Sequence, residues 1–204
     1  MKDRLYASTP ASIERRSAQT VLYELLQSLV VLVAPVLTFS SEEVWQHMPK
    51  RAGLPFSVQL AAWPEAKPQY QDAELEAKWD KLLELRSEVT KALEISRRNK
   101  EIGNSLDADL QLFADGEVTD LLRSVEAELA NYFIVSTVKL NGNLELTPAT
   151  AFRSAELSLA VQVIPAAAEK CERCWIHAEL TSPAPGEPGL CKRCAAVMTE
   201  TGVI

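Results

Sequence analysis

The first 170 of the 204 residues contain no cysteine, and the chain has only two histidines, His47 and His177. A disulfide framework running through the whole chain is therefore excluded. The histidines are isolated, and neither is assigned a catalytic or metal-ligating role. Long apolar runs are also missing. The longest, Leu29 to Leu37, falls well short of the ~18 residues a membrane-spanning helix requires. Met1-Lys2-Asp3-Arg4 leads into a polar stretch instead of the apolar core of a secretory signal, so the chain reads as cytoplasmic. No internal repeat is visible.

What is present is ordinary globular composition, with 47% hydrophobic and 24% charged residues, which excludes a disordered or collagen-like chain. The length suits one or two domains with a small appendage. The net charge of −7 is unevenly placed. Residues 104–164 hold nine acids and three bases, a net of −6, which leaves the flanks near neutral. Both flanks can therefore present local basic patches.

Apolar periodicity predicts a helix over 9–34, with Thr9 as N-cap and Pro10 at its first position. Ile13, Val21, Leu22, Leu25, Leu26, Leu29, Leu32 and Val33 form its apolar face, and Ala34-Pro35 ends it. Ser40-Ser41-Glu42-Glu43 predicts a capping box, with Ser40 as N-cap of a short helix running to about Met48. Five prolines and glycines over 49–71 predict a long loop with an extended piece at 57–61. Asp72 is read as the cap of a second long helix over 73–100, with Leu75, Trp79, Leu82, Leu83, Val89 and Leu93 inward and Gly103 as its stop. Trp45, Trp63 and Trp79 are expected in the core. Period-two patterns then predict strands at 106–113, 133–140 and 156–164, with a helix over 117–131, giving a β-α-β-β unit. Ala166-Ala167-Ala168 reads as a linker.

The strongest signal is Cys171-x2-Cys174, sixteen residues, then Cys191-x2-Cys194. Two CxxC knuckles at this separation fit one tetrahedral zinc ion, and four thiolates leave no open position, so the metal would be structural. A segment this poor in large aliphatic residues cannot bury a sufficient core, and metal binding would supply much of its folding free energy. Two disulfides or four unrelated buried cysteines are the competing readings. Pro183, Pro185, Gly186, Pro188 and Gly189 predict an exposed loop between the knuckles. Arg173, Trp175, Lys192 and Arg193 lie in or beside the knuckles, a cation–aromatic set suited to phosphate contact and base stacking. Trp175 reads equally as the small core of its knuckle, with the cations solvated. Arg97-Arg98-x-Lys100 reads as charge at a helix C-terminus.

Several blocks carry a family resemblance. Lys2-Asp3-Arg4-Leu5-Tyr6, Glu14 to Tyr23, and Ala34 to Phe39 followed by Glu42-Glu43-Val44-Trp45 resemble the anticodon-binding domain of bacterial isoleucyl-tRNA synthetase. Lys100 to Leu106 resembles the segment that follows that domain. Cys171-Glu172-Arg173-Cys174-Trp175 with Leu190-Cys191-x2-Cys194 resembles the synthetase's C-terminal zinc finger. The resemblance implies a mainly α chain in three parts. These are an N-terminally truncated helical anticodon-binding domain over 1–104, a small α+β junction over 105–165, and a zinc-ribbon-like module over 166–204.

It also implies one structural Zn2+ on Cys171, Cys174, Cys191 and Cys194, and isoleucine tRNA as the partner. Arg15, Arg16, Arg173, Trp175, Lys192 and Arg193 would contact that RNA. The implied setting is a monomer joined in the full enzyme to a catalytic part that this chain lacks. Neither the HIGH-type nor the KMSKS-type motif is present, so no aminoacylation is expected of these residues alone. A protein-binding zinc scaffold and a DNA-repair glycosylase with a similar finger are the alternatives. The glycosylase reading requires a proline after the initiator Met, where this chain has Lys2.

Overall fold

The computed structural model describes residues 2–181 and 189–202. The expected loop at Pro183, Pro185, Gly186 and Pro188 lies outside the described residues. The chain forms two compact units, 1–71 and 72–204. The architecture is helical first, then a small mixed sheet, then a four-cysteine module.

The first unit opens with α1 (Lys2–Tyr6), followed by α2 (Ile13–Val33) and α3 (Thr38–His47). Thr9 does not cap α2. Its carbonyl accepts from the Ser12 amide at 3.1 Å in a turn, and Ser12 becomes the N-cap, its hydroxyl accepting from the Arg15 amide at 3.3 Å. The expected capping box at Ser40 is also displaced. Leu37 is the N-cap of α3, and Ser41 is buried inside the helix. Glu42 instead accepts from the Ser57 hydroxyl at 2.8 Å and the Val58 amide at 3.0 Å, pinning the following loop. There, 57–61 is not extended: Val58–Leu60 is a single 3₁₀ turn started by Ser57, and Pro68–Tyr70 is another.

Val30, Val31, Ala34, Trp45, Met48 and Val58 form the core of this unit. Trp45 is fully buried, and its indole N–H donates to the Pro55 carbonyl at 3.0 Å. Trp63 is 61% exposed, so the expectation for it fails, because the proline-rich loop that carries it lies over the surface. Of the eight residues expected on the apolar face of α2, only Val33 is half-buried, and the buried side chains of the helix are instead Ala18, Val30 and Val31. Ile13, Val21, Leu22, Leu25, Leu26, Leu29 and Leu32 stay exposed, as do Val36 and Phe39, the last 90% exposed.

The second unit begins with α4 (Ala73–Arg98), where Asp72 accepts from the Leu75 amide at 2.9 Å as expected of a cap. The helix stops at Lys100 and not at Gly103. Lys100 turns to φ 63° while the Glu101 amide reaches back to the Ser96 carbonyl at 3.0 Å, a Schellman closure. Leu82, Val89 and Leu93 are buried, whereas Leu75, Trp79 and Leu83 are exposed. Trp79 instead lies against Tyr132 with ring centroids 5.6 Å apart.

Next come β1 (Ala108–Ala114), α5 (Glu117–Arg123), α6 (Leu129–Phe133), β2 (Thr137–Asn141), β3 (Phe152–Arg153) and β4 (Leu159–Pro165). The single helix expected over 117–131 is broken by a 3₁₀ turn at Glu126–Glu128. The sheet order is β2-β1-β4-β3. β1 pairs parallel with β2 (Asp109 opposite Thr137) and antiparallel with β4 (Ala108 opposite Pro165). Parallel pairing requires a crossover, which α5 and α6 supply. Leu82, Leu85, Val89 and Leu93 of α4 pack with Leu110, Leu112, Leu122, Leu129, Phe133, Leu159 and Val161 in one core. This burial places α4 with the sheet, in the compact unit that begins at Asp72. The module that follows contains β5 (Leu180–Thr181), β6 (Leu190–Cys191) and α7 (Lys192–Glu200).

Two outcomes are expected in urea unfolding. Trp45→Ala removes the largest side chain of the first core and its one hydrogen bond, and costs about 3–5 kcal/mol. The second concerns acid. Lys67, then Arg51, hold the Glu24 carboxyl below its usual range, and Lys91, then Ser154, do so for Glu88. Groups with lowered native values stabilise the fold above the unfolded carboxylate range, about 4. That contribution is lost as pH falls through their lower folded values. The unfolding midpoint should therefore hold from neutrality to about pH 5 and fall below it.

Candidate metal centre and nucleic-acid interface

The first knuckle is closed by backbone. The Trp175 amide donates to the Cys171 carbonyl at 2.9 Å, and the Cys171 amide donates to the Ile176 carbonyl at 2.9 Å. The second knuckle uses a strand-to-helix step. β6 pairs with β5, Cys191 is the N-cap of α7, and Cys194 sits in that helix's first turn. Helix N-termini favour thiolates, so this end of α7 suits metal ligation. The knuckles meet through the Glu172 amide, which donates to the Gly189 carbonyl at 3.2 Å. The Cys191 amide also donates to the Cys171 sulfur at 3.3 Å.

The four sulfurs converge within 4.8 Å of one another, and all four thiols are free. Tetrahedral Zn–S bonds of about 2.3 Å place sulfurs roughly 3.8 Å apart. The Cys174 and Cys191 sulfurs are 3.7 Å apart, so the donor set fits zinc with little movement. The disulfide reading is not realised. Burial pushes the Cys174 and Cys194 thiols up. Burial acts on Cys171 as well, but N–H groups of Cys174, Cys191 and Arg173 outweigh it and bring that thiol down to about 6.

The structure gathers Arg173, Trp175, Lys192 and Arg193 around this cluster. Arg173 reaches the Cys194 sulfur at 3.6 Å, and Arg193 hydrogen-bonds toward Cys174. Both are half-buried, while Lys192 is exposed. Trp175 is 61% exposed and has φ 67°. A bulky side chain in the left-handed region is a genuine backbone outlier, of order 1 kcal/mol or more. The knuckle interior is filled by Ile176, Ala178, Leu180 and Leu190, not by this indole. Arg15 and Arg16 belong to the other compact unit, in the first turn of α2. Arg15 donates to the Ser8 carbonyl at 3.4 Å, and Arg16 is exposed. Arg97 pairs with Glu94, the structural role expected for that charge.

One group has no counterpart among the residues singled out from the sequence. His177 and Asp107 come together beside the module, with Nε2 and Oδ1 3.4 Å apart. Asp107 was detectable through the Asn104-x-x-Asp107 spacing, which here forms a reciprocal capping box. No local pattern marks His177.

The family model for the anticodon-binding domain of tRNA ligase matches residues 1–112. The chain is 49% identical over 200 residues to the isoleucine–tRNA ligase of Desulforamulus reducens, covering 98% of this chain and 21% of that protein. The enzyme of Moorella thermoacetica is 44% identical over 201 residues, covering 98% of this chain and 22% of its own. That of Kosmotoga olearia is 44% identical over 204 residues, covering 99% and 21%. This chain thus spans about a fifth of the length of these relatives. It belongs to the anticodon-binding-domain family of tRNA ligases, in the form carried by the C-terminal region of isoleucine–tRNA ligases.

Proposed function

We propose that this chain is the tRNA-reading part of a cytoplasmic isoleucine–tRNA ligase. It recognises the anticodon stem-loop of isoleucine tRNA and holds one structural zinc ion. Residues 1–104 would contact the stem, 105–165 would serve as junction, and 166–204 would reach the loop. The observation that carries this reading is Trp175, a strained, exposed indole on the four-cysteine knuckle, in a chain of this family. A large aromatic ring held out on a rigid support is suited to stacking on an unpaired base.

Zinc would be held by Cys171, Cys174, Cys191 and Cys194. It would supply no reaction step, because four thiolates complete its coordination. Four thiolates around a dication leave two negative charges, and Arg173 and Arg193 offset them from beside the sulfurs. With Lys192 they keep the module's RNA face cationic. Arg15 and Arg16 would contribute phosphate contacts on the helical part. The exposed apolar stripe of α2 is the surface we assign to the remainder of the synthetase, which would carry the catalytic residues. Among the described residues, no helix is long and apolar enough to cross a membrane.

Metal analysis of the purified chain should find about one zinc per molecule, as a closed four-thiolate site requires. Chelation should unfold the segment after Pro165 while helical circular dichroism is largely kept. A metal-free chain with an ordered final segment would count against zinc.

Binding to isoleucine tRNA and to a non-cognate tRNA at several salt concentrations tests the RNA reading. Replacing Arg15 and Arg16 with alanine should weaken both complexes and lower the salt slope by roughly 0.7–0.9 for each phosphate no longer neutralised. Trp175→Ala should cost about 1–3 kcal/mol, more for the cognate tRNA, with zinc retained and the slope unchanged. Equal losses on both RNAs together with loss of zinc would return Trp175 to a structural role.

A further inference from the structure

The imidazole of His177 lies between two groups that can only accept hydrogen bonds. Nδ1 is 2.7 Å from the Ala168 carbonyl oxygen, and Nε2 is 3.4 Å from Asp107 Oδ1. Either ring nitrogen, when it carries the proton, donates to the oxygen that faces it. The backbone of the same residue is anchored as well. Its amide donates at 2.7 Å to the Ser136 hydroxyl, which donates in turn to the Leu106 carbonyl at 2.6 Å.

Asp107 collects the other threads. Its Oδ2 accepts from the Asn104 amide at 2.9 Å, and its carbonyl accepts from the Ala166 amide at 2.8 Å. Lys170 reaches Oδ1 at 3.4 Å and sets a second cation beside the carboxylate. The three-alanine stretch, which reads as a linker, is therefore tied at both ends, at Ala166 and at Ala168. The Asn104 amide, the His177 ring and Lys170 hold the Asp107 carboxyl below its usual range, against the opposing effect of burial.

We propose that His177 is a positioning residue. Its ring, bridging Ala168 and Asp107, locks the four-cysteine module onto the start of β1 and thereby fixes where Trp175 is presented. For the RNA consequence this rests on the function proposed above, but the lock itself does not. The connection after Pro165 is also held by the Ala166 amide, Lys170 and the His177 amide, and loss of the ring bridge would loosen this set and leave the indole a wider range of directions. Preorganisation of that kind acts on affinity without adding a contact.

The test uses the zinc-loaded full chain. In 15N relaxation the module residues should tumble with the sheet. In His177→Ala, which leaves the Asn104–Asp107 box intact, the module should acquire faster independent motion with zinc content unchanged. Affinity for isoleucine tRNA should fall several-fold at an unaltered salt slope. His177→Gln places an amide N–H near the Nε2 position and should restore part of the rigidity. Asp107→Asn should free the module as His177→Ala does. A module that stays as rigid in His177→Ala as in the wild type would overturn the lock. A wild-type chain that ignores tRNA would instead overturn the proposed function, leaving the lock to be decided by relaxation alone.

Discussion

Strand β1 is hydrogen-bonded along both edges, and everything in the second unit is placed by that ladder. Its seven residues pair with β4 on one side, and five of them pair with β2 on the other. A strand held on both sides cannot slip, because a shift of one residue would turn Leu110 and Leu112 out of the core and bring Asp109 and Gln111 in. The core against α4 therefore fixes the register, and the register fixes the residue just before the strand, Asp107. The module attaches at that residue. Hydrophobic patterning deep in the sheet thus governs where an exposed ring far along the chain is displayed.

The module itself obeys a different constraint. Four sulfurs in so small a space repel one another when ionised, and burial opposes charge on Cys174 and Cys194. A dication would reverse both effects, and the arginines beside the sulfurs would offset the negative charge that remains. The cations flanking the cysteines in sequence are therefore placed differently in a way that composition cannot reveal. Arg173 and Arg193 turn toward sulfur, and Lys192 alone of the three is exposed.

What was legible in the sequence was local chemistry with a single solution. Asp72 had no competitor as a cap, and the paired CxxC spacing favoured four sulfurs converging on one point over its alternatives. Where several residues could do the same job, tertiary contacts chose among them. Ser12 displaced Thr9 because Thr9 was used in a turn, and the Glu42 side chain, within α3, accepts from Ser57 and Val58. Lys100 ended α4 ahead of Gly103, at the cost of a positive φ that glycine would adopt freely. The helix over 117–131 broke because its residues had to turn the chain back toward β2. Trp175 remained open on two readings, since no pattern of neighbours states whether a ring points in or out. His177 and Asp107 were invisible as a pair because they stand 70 residues apart.

That separation also orders the assembly of the protein in time. The knuckles need only residues 171–194, so they can close around a metal as a local event. Docking draws on partners 41 and 70 residues upstream, and those partners exist only once β1 has found its neighbours. On a ribosome, Asp107 and Ser136 emerge well before the first cysteine. The cradle is therefore threaded out ahead of the piece it receives, although β1 gains its β4 edge only when residue 165 has been made. Metal capture and docking would thus be separable steps of maturation, and a chain caught between them would carry its ion on an untethered segment.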